Sequence, residues 1–382
     1  MSSVDLARLT YLFEENFTKY GELGASVCVV HAGEPALNLG KGFVDQDRTE
    51  RWTAETRVLI WSATKALAST CLLHCCERSG IALERQVKDF WPEYAVNGKE
   101  ATTIAHVLSH QSGQPALRRP DIGILDHEAV AQCLASQEPF WNPGDAHGYH
   151  ARTYGFLVDE LVRRISSGIT IGDYFRQAFG EPLDLDLWIG IPANLVNNVA
   201  PIQTPRQKRE SSFEDPFYQA LADQGSLTRL AFSTPSGPIA PSAFNSPAIR
   251  MHSLPSLGGI GTAESLARFY YHIFCEPGFL SAELRLRLQQ SVVSGLDRIL
   301  QIATAFGLGF MKDPISPEHR KLREIFGRST AAFGQPGAGG SHAFVDPEEK
   351  LAFAYVMNQM EPGVLPNPKS LRLVHQLYAD SV

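Results

Sequence analysis

The stretch RVLIWSATKALASTCLLHCCERSG, residues 57–80, decides how the chain is built. Residues 57–61 are a short apolar run of strand type, whereas residues 66–77 carry apolar side chains at helical spacing and stop at Gly80. The chain therefore turns from strand to helix at Ser62. A residue at that corner lies beside backbone N–H groups without an intrahelical partner and at the positive end of the helix dipole, and Lys65, one turn on, shares its face. A serine hydroxyl becomes a nucleophile when a base takes its proton, and an amine kept neutral by its surroundings is such a base. Ser62-Ala63-Thr64-Lys65 is the only Ser-x-x-Lys in the chain. Two fixed positions make a weak motif, and a plain N-cap serine with a solvated lysine satisfies them too.

Upstream of this corner, residues 25–31 (ASVCVVH) and 35–44 (PALNLGKGFV) are strand-like runs around Ala32-Gly33-Glu34, the pattern of a hairpin, and residues 57–61 follow as a third strand. Downstream, helical spacing recurs at 84–94, 103–109, 127–136, 153–165, 171–179 and 265–275. Residues 199–250 are rich in Pro and Ser and read as a long irregular excursion, either a lid over a cleft or a variable surface loop. Strand character returns at 307–311, 341–346 and 351–357, and a helix at 370–378 closes the chain. Neither end makes a full sheet alone. The economical arrangement is an α+β fold: one antiparallel sheet from residues 1–61 and 300–382 with flanking helices, and a mostly helical region, 62–299, inserted between them.

Composition narrows the function. With 382 residues and 44% hydrophobic side chains the chain has ample material for a core. The formal net charge of −7 and the absence of a basic run longer than RQKR at 206–209 argue against nucleic acid as a partner. The first twenty residues read as an amphipathic helix with Asp5, Glu14 and Glu15, without the basic end and apolar block of a signal peptide, and no apolar run is long enough to span a bilayer. The six cysteines form no CxxC pair and read as buried thiols. A cytoplasmic protein without metal or cofactor, acting on a small molecule, is the expectation.

Two further stretches bear on chemistry. In WNPGDAHGYHARTYGF, residues 141–156, Pro143-Gly144 and Gly148 break the pattern before a helix, so Tyr149 lies on a loop. A lysine ammonium nearby would lower the phenol pKa and let Tyr149 shuttle a proton; a core aromatic is the other reading. In FGQPGAGGSHAF, residues 333–344, glycines permit close approach of a substrate to an edge strand, whose N–H could complete an oxyanion hole with that of Ser62. A plain glycine-rich hairpin fits as well.

Taken in order, these stretches resemble the class C β-lactamase and penicillin-binding-protein superfamily, and most closely its esterase branch, the family VIII serine carboxylesterases. The likeness runs from about Gly24 to Met360 and includes VLSHQSG at 107–113, WNPG at 141–144, FNSP at 244–247, GGIGTA at 258–263, and Asp346-Pro347 followed by YVMN at 355–358. The resemblance implies a β-lactamase/transpeptidase-like fold, Ser62 as the acylated nucleophile, Lys65 as its proton acceptor and Tyr149 as general base. It also implies an oxyanion hole from the N–H groups of Ser62 and Ala338, and substrate contacts from Gln335, Gly337, Asn245 and His150.

Two positions depart from the lactamase pattern. Ala151 stands where the tyrosine motif has Asn, and Gln335 where the strand motif begins with Lys, so two polar anchors for a β-lactam are lost. The chain also lacks the Gly-x-Ser-x-Gly elbow of the α/β-hydrolases. The expectation is a carboxylesterase with weak or no β-lactamase activity. An acyltransferase using the same three residues, or a binding protein that has kept only the fold, are the alternatives. Oligomeric state is not legible.

Overall fold

β1 (Gly24–His31) and β2 (Glu34–Gly42) form the expected hairpin. Its turn residues Ala32 and Gly33 both have positive φ, the twist that a two-residue hairpin turn needs. These and the following elements belong to a computed structural model that describes residues 5–206 and 210–379; of the RQKR run only Arg206 lies inside the described residues. The remaining strands are β3 (Val58–Trp61), β4 (Leu187–Ile189), β5 (Gly259–Gly261), β6 (Val293–Leu296), β7 (Ala303–Phe306), β8 (Met311–Lys312), β9 (Phe333–Gly334), β10 (His342–Asp346) and β11 (Leu351–Met357). The main sheet has eight strands, all antiparallel, in the order β2-β1-β11-β10-β9-β8-β7-β6. Both chain ends meet at β1 and β11, in register from Ala25 opposite Met357 to His31 opposite Leu351.

The helices are α1 (Leu6–Thr18), α2 (Thr64–Arg78), α3 (Ile104–Leu108), α4 (His127–Ser136), α5 (Thr153–Ile165), α6 (Ile171–Phe175), α7 (Asp215–Ala222), α8 (Leu227–Ser233), α9 (Pro247–Met251), α10 (Ala263–Phe274), α11 (Ala282–Leu288) and α12 (Pro368–Leu377). β1 and β11 are buried along nearly their whole lengths, because helices cover both faces. On one face α1 sets Phe13 edge-on to Tyr355, with ring centroids 6.3 Å apart; on the other, α10 packs on β1, β10 and β11. In the helical region α2 is buried almost all round and packs on α5 and α6, which makes it the central helix.

The structure corrects several expectations. β3 does not join the main sheet. It pairs with β5, which pairs with β4, in a separate three-stranded sheet beneath the corner. Those partners are three-residue apolar segments far along the chain, too short for any local pattern to announce. Residues 84–94 form two 3₁₀ turns, Val87–Asp89 and Pro92–Tyr94, since Pro92 cannot continue a helix. Residues 307–310 are the turn between β7 and β8, and β6, read as no element from sequence, is the exposed edge strand. The excursion at 199–250 contains α7, α8 and α9. The helix expected over 265–275 is α10, which lies inside the 62–299 stretch yet packs on the main sheet.

Candidate active site

Trp61 ends β3 with a φ of +52°, the left-handed conformation that a bulky residue rarely adopts. That kink points Ser62 away from the small sheet and lets α2 begin two residues later. The N-cap is Ala63 and no side chain caps the helix, so the Ser62 hydroxyl is free of a backbone N–H and the plain-cap reading falls. Thr64 anchors the corner: its hydroxyl donates to Trp61 O and accepts from Gly259 N at 2.7 Å.

Lys65 Nζ lies 3.3 Å from Ser62 Oγ, 2.9 Å from Ala151 O and 2.8 Å from Ser256 O. Lys65 is 1% exposed and has no carboxylate among its partners, so burial pushes its pKa well below the ordinary lysine value. A neutral amine has two N–H bonds and one lone pair. In the neutral form that this lowering favours, the two carbonyls can take the two N–H bonds, which leaves the lone pair for the Ser62 hydroxyl proton.

Tyr149 stands on the other side of Ser62. Its phenol accepts from Gln335 Nε2 at 3.3 Å and is close enough to the Ser62 hydroxyl for that group to act on its pKa, and its ring centre is 4.7 Å from Lys65 Nζ. Burial raises the phenol pKa, with the Asp297 carboxylate acting in the same direction, which reverses the expected lowering. The loop carrying Tyr149 is held from behind by Asp297, whose carboxylate accepts from Tyr149 N at 3.0 Å and also from Ile299 N, Leu300 N and Thr304 Oγ1. His110 lies under the ring, with centroids 5.0 Å apart.

The 335–338 strand end completes the site. A Cβ on Gly337 would lie 2.4 Å from Ile60 O and 3.1 Å from Trp61 Cβ, so only glycine lets this backbone rest against the corner. Ser62 and Ala338 consequently open on the same cleft, and among the described residues neither of their N–H groups donates to a protein acceptor. The cleft has a volume of about 280 Å³, with Trp61, Leu221, Phe232, Ile239, Phe244 and Leu257 among its walls.

The fold thus brings Ser62, Lys65, Tyr149, Gln335, Gly337 and Ala338 together. Two expected substrate contacts lie elsewhere. His150 is buried, its Nε2 accepting from Gln114 N at 3.1 Å and its Nδ1 donating to Gly148 O at 2.6 Å; burial holds its pKa at about 3. Asn245 clips the excursion to itself, bonding Ile202 N at 2.8 Å and Ile202 O at 3.0 Å. Neither lines the cleft, and Gln335 and Gly337, though beside Tyr149 and the corner, are not among its walls either. The sequence reading missed Asp297, Ser256 and Arg152, the first two because a pinning carboxylate and a backbone carbonyl carry no motif. Among the described residues no group of three or more His, Cys, Asp or Glu side chains could hold a metal ion, and no helix is long and apolar enough to cross a membrane.

The Beta-lactamase family model matches residues 11–376. The esterase/beta-lactamase LipL of Mycobacterium tuberculosis is 31% identical over 349 residues, 88% of this chain and 77% of LipL. A penicillin-binding protein homologue from Caulobacter crescentus superimposes with a TM-score of 0.85 at 31% identity, covering 98% of this chain and 96% of that one. A family VIII carboxylesterase does so with a TM-score of 0.84 at 27% identity and the same coverage. With its lysine and tyrosine packed around the cleft serine and the match running almost end to end, the chain belongs to the Beta-lactamase family.

Proposed function

We propose that the chain is a serine hydrolase that cleaves small to medium carboxylic esters through an acyl-enzyme on Ser62. The carrying observation is the environment of Lys65: buried, without a carboxylate, with two carbonyls at 2.9 and 2.8 Å, Ser62 Oγ at 3.3 Å and a pKa lowered by burial. The amine takes the hydroxyl proton as Oγ attacks the ester carbonyl carbon, so the nucleophile is generated without a histidine. The oxyanion that forms is met by the N–H groups of Ser62 and Ala338, each donor contributing on the order of 10²-fold or more in rate. When the C–O bond to the alcohol breaks, the Tyr149 phenol gives its proton to the departing oxygen and recovers one from the Lys65 ammonium. A raised phenol pKa suits that role, because the group must hold its proton until the alkoxide appears. Water then attacks the acyl-enzyme by the reverse relay.

The apolar walls and modest volume of the cleft support small to medium acyl or alcohol groups. Ala151 and the uncharged Gln335 offer no anchor of the kind a β-lactam amide and carboxylate would use, so β-lactam turnover is expected to be weak. Intact-mass analysis after incubation with a fluorophosphonate should give one adduct on Ser62, absent in Ser62→Ala, and nitrocefin turnover should lie well below that of a short-chain p-nitrophenyl ester. Full ester turnover by Ser62→Ala would overturn the mechanism.

A further inference from the structure

The cleft beside Ser62 is apolar apart from a few groups, and two of these are guanidinium groups. Arg152, the residue before α5, is 7% exposed; Nη1 donates to Pro235 O at 2.9 Å and Nη2 to Pro238 O at 2.7 Å. Those bonds occupy two of its five N–H groups. Burial lowers its pKa to about 10, which leaves it charged near neutral pH. Arg229, on α8, is exposed, and its Nη1 donates only to Leu221 O, at 3.3 Å. Among the described residues neither arginine has an ion-pair partner, and the cleft lining contains no Asp or Glu.

A buried charge is ordinarily paired, because carbonyl dipoles replace only part of the lost hydration. Among the described residues the charge that would pair with Arg152 in this cleft is missing, and a second guanidinium at the cleft repeats the same sign. An anion arriving with the substrate supplies it. Guanidinium groups suit a carboxylate in particular, since the planar fork matches its two oxygens.

We infer that the cleft takes esters bearing a carboxylate at the far end of the group it holds, with Arg229 and Arg152 as the residues that select it. This rests on the hydrolase reading. Its test compares each acid with its neutral primary amide: mono-p-nitrophenyl adipate against the corresponding adipamate for an acid on the acyl side, and 3-(4-acetoxyphenyl)propanoate against its amide for an acid on the alcohol side. In at least one pair kcat/KM should favour the acid by roughly tenfold, the preference should shrink with added salt, and it should fall to near one in Arg229→Gln and partly return in Arg229→Lys. Arg229 is exposed, so these variants keep the fold; Arg152, which braces two backbone carbonyls, is the poorer target. Ratios at or below one in both pairs, or a preference unchanged in Arg229→Gln, would overturn the inference while leaving the hydrolase reading intact. Turnover of neither member of any pair, with no Ser62 adduct, would bring down the hydrolase reading and this inference with it.

Discussion

Two buried lysines in this chain do opposite work. Lys369, near the start of α12, is 4% exposed, and its ammonium lies 2.6 Å from Glu361 and 3.3 Å from Glu22. Lys65, 1% exposed, meets only carbonyls and a hydroxyl. Burial penalises the charge in both places; what differs is the partner. A carboxylate offsets the lost hydration and makes Lys369 a strut that ties α12 to the chain behind α1. Around Glu22 the balance is different again: burial pushes its carboxyl up against the pull of Lys369, and the Tyr355 hydroxyl donates to it at 2.7 Å. Glu361 is therefore the main counter-charge. Without such a group burial alone acts on Lys65 and lowers its pKa, which suits the base role proposed for it.

The widest separation between the two comes from substitutions that ask each lysine for what it supplies. Lys65→Arg keeps a cation of similar length but one that cannot lose its proton, so kcat/KM for a short ester is expected to drop roughly 10³-fold or more. Lys369→Met removes one partner of a buried pair and should cost about 3–5 kcal/mol of stability by denaturant unfolding. Its kcat/KM in the absence of denaturant should stay near the parent value. If Lys65→Arg kept its activity, or Lys369→Met lost activity while remaining as stable, the division of labour would be wrong.

A finer test gives Lys65 the partner that Lys369 has. Ala151 lines the cleft and its carbonyl oxygen is 2.9 Å from Lys65 Nζ, so Ala151→Asp introduces a carboxylate beside the amine. An opposite charge at that range raises a lysine pKa by about one unit or more. Less of the enzyme then holds the neutral amine at pH 7, and kcat/KM should fall by about tenfold there. The acid limb of the pH–rate profile should move to higher pH, and activity should recover in alkaline buffer. A uniform loss at every pH would mean that the aspartate merely obstructs the cleft.

The same contrast explains how much could be read from sequence. The nucleophile end is local: strand, kink, serine, and a lysine one helical turn on all lie within residues 58–65, so apolar spacing and one motif were enough. The sheet built from both chain ends was legible for a similar reason, because β1, β2, β10 and β11 are long, apolar and close to their hairpin partners. What the sequence hid is non-local. The carbonyls of Ala151 and Ser256 that hold Lys65 come from 86 and 191 residues away, and any residue type carries a carbonyl. Asp297, which pins the Tyr149 loop across 148 residues, has no spacing to announce it. Tyr149 itself is legible, but the direction of its pKa is not, because a loop position in the sequence does not show that the phenol is buried. His150 and Asn245 were read as substrate contacts from their place beside motif residues, whereas each closes hydrogen bonds inside the scaffold.

The smallest expected effect is on stability, and it has a definite sign. In the folded chain the pKa of Lys65 is lowered from the ordinary value of 10.5. As pH falls below that value the unfolded chain takes up a proton at this position and the folded chain does not, until its own lower pKa is reached. Stability is therefore lost on going from alkaline to neutral pH, by about 1.4 kcal/mol for each pKa unit in that window. Lys65→Met lacks this dependence. It also leaves Ala151 O and Ser256 O without their donor, a cost that does not vary with pH. Whatever the difference in Tm between Lys65→Met and the parent at pH 10, it should shift in favour of the variant at pH 7, as read by thermal unfolding at both values. A difference for Lys65→Met that stays constant between pH 10 and pH 7 would mean that the folded chain carries the Lys65 proton at neutral pH, and Ser62 would then need another base.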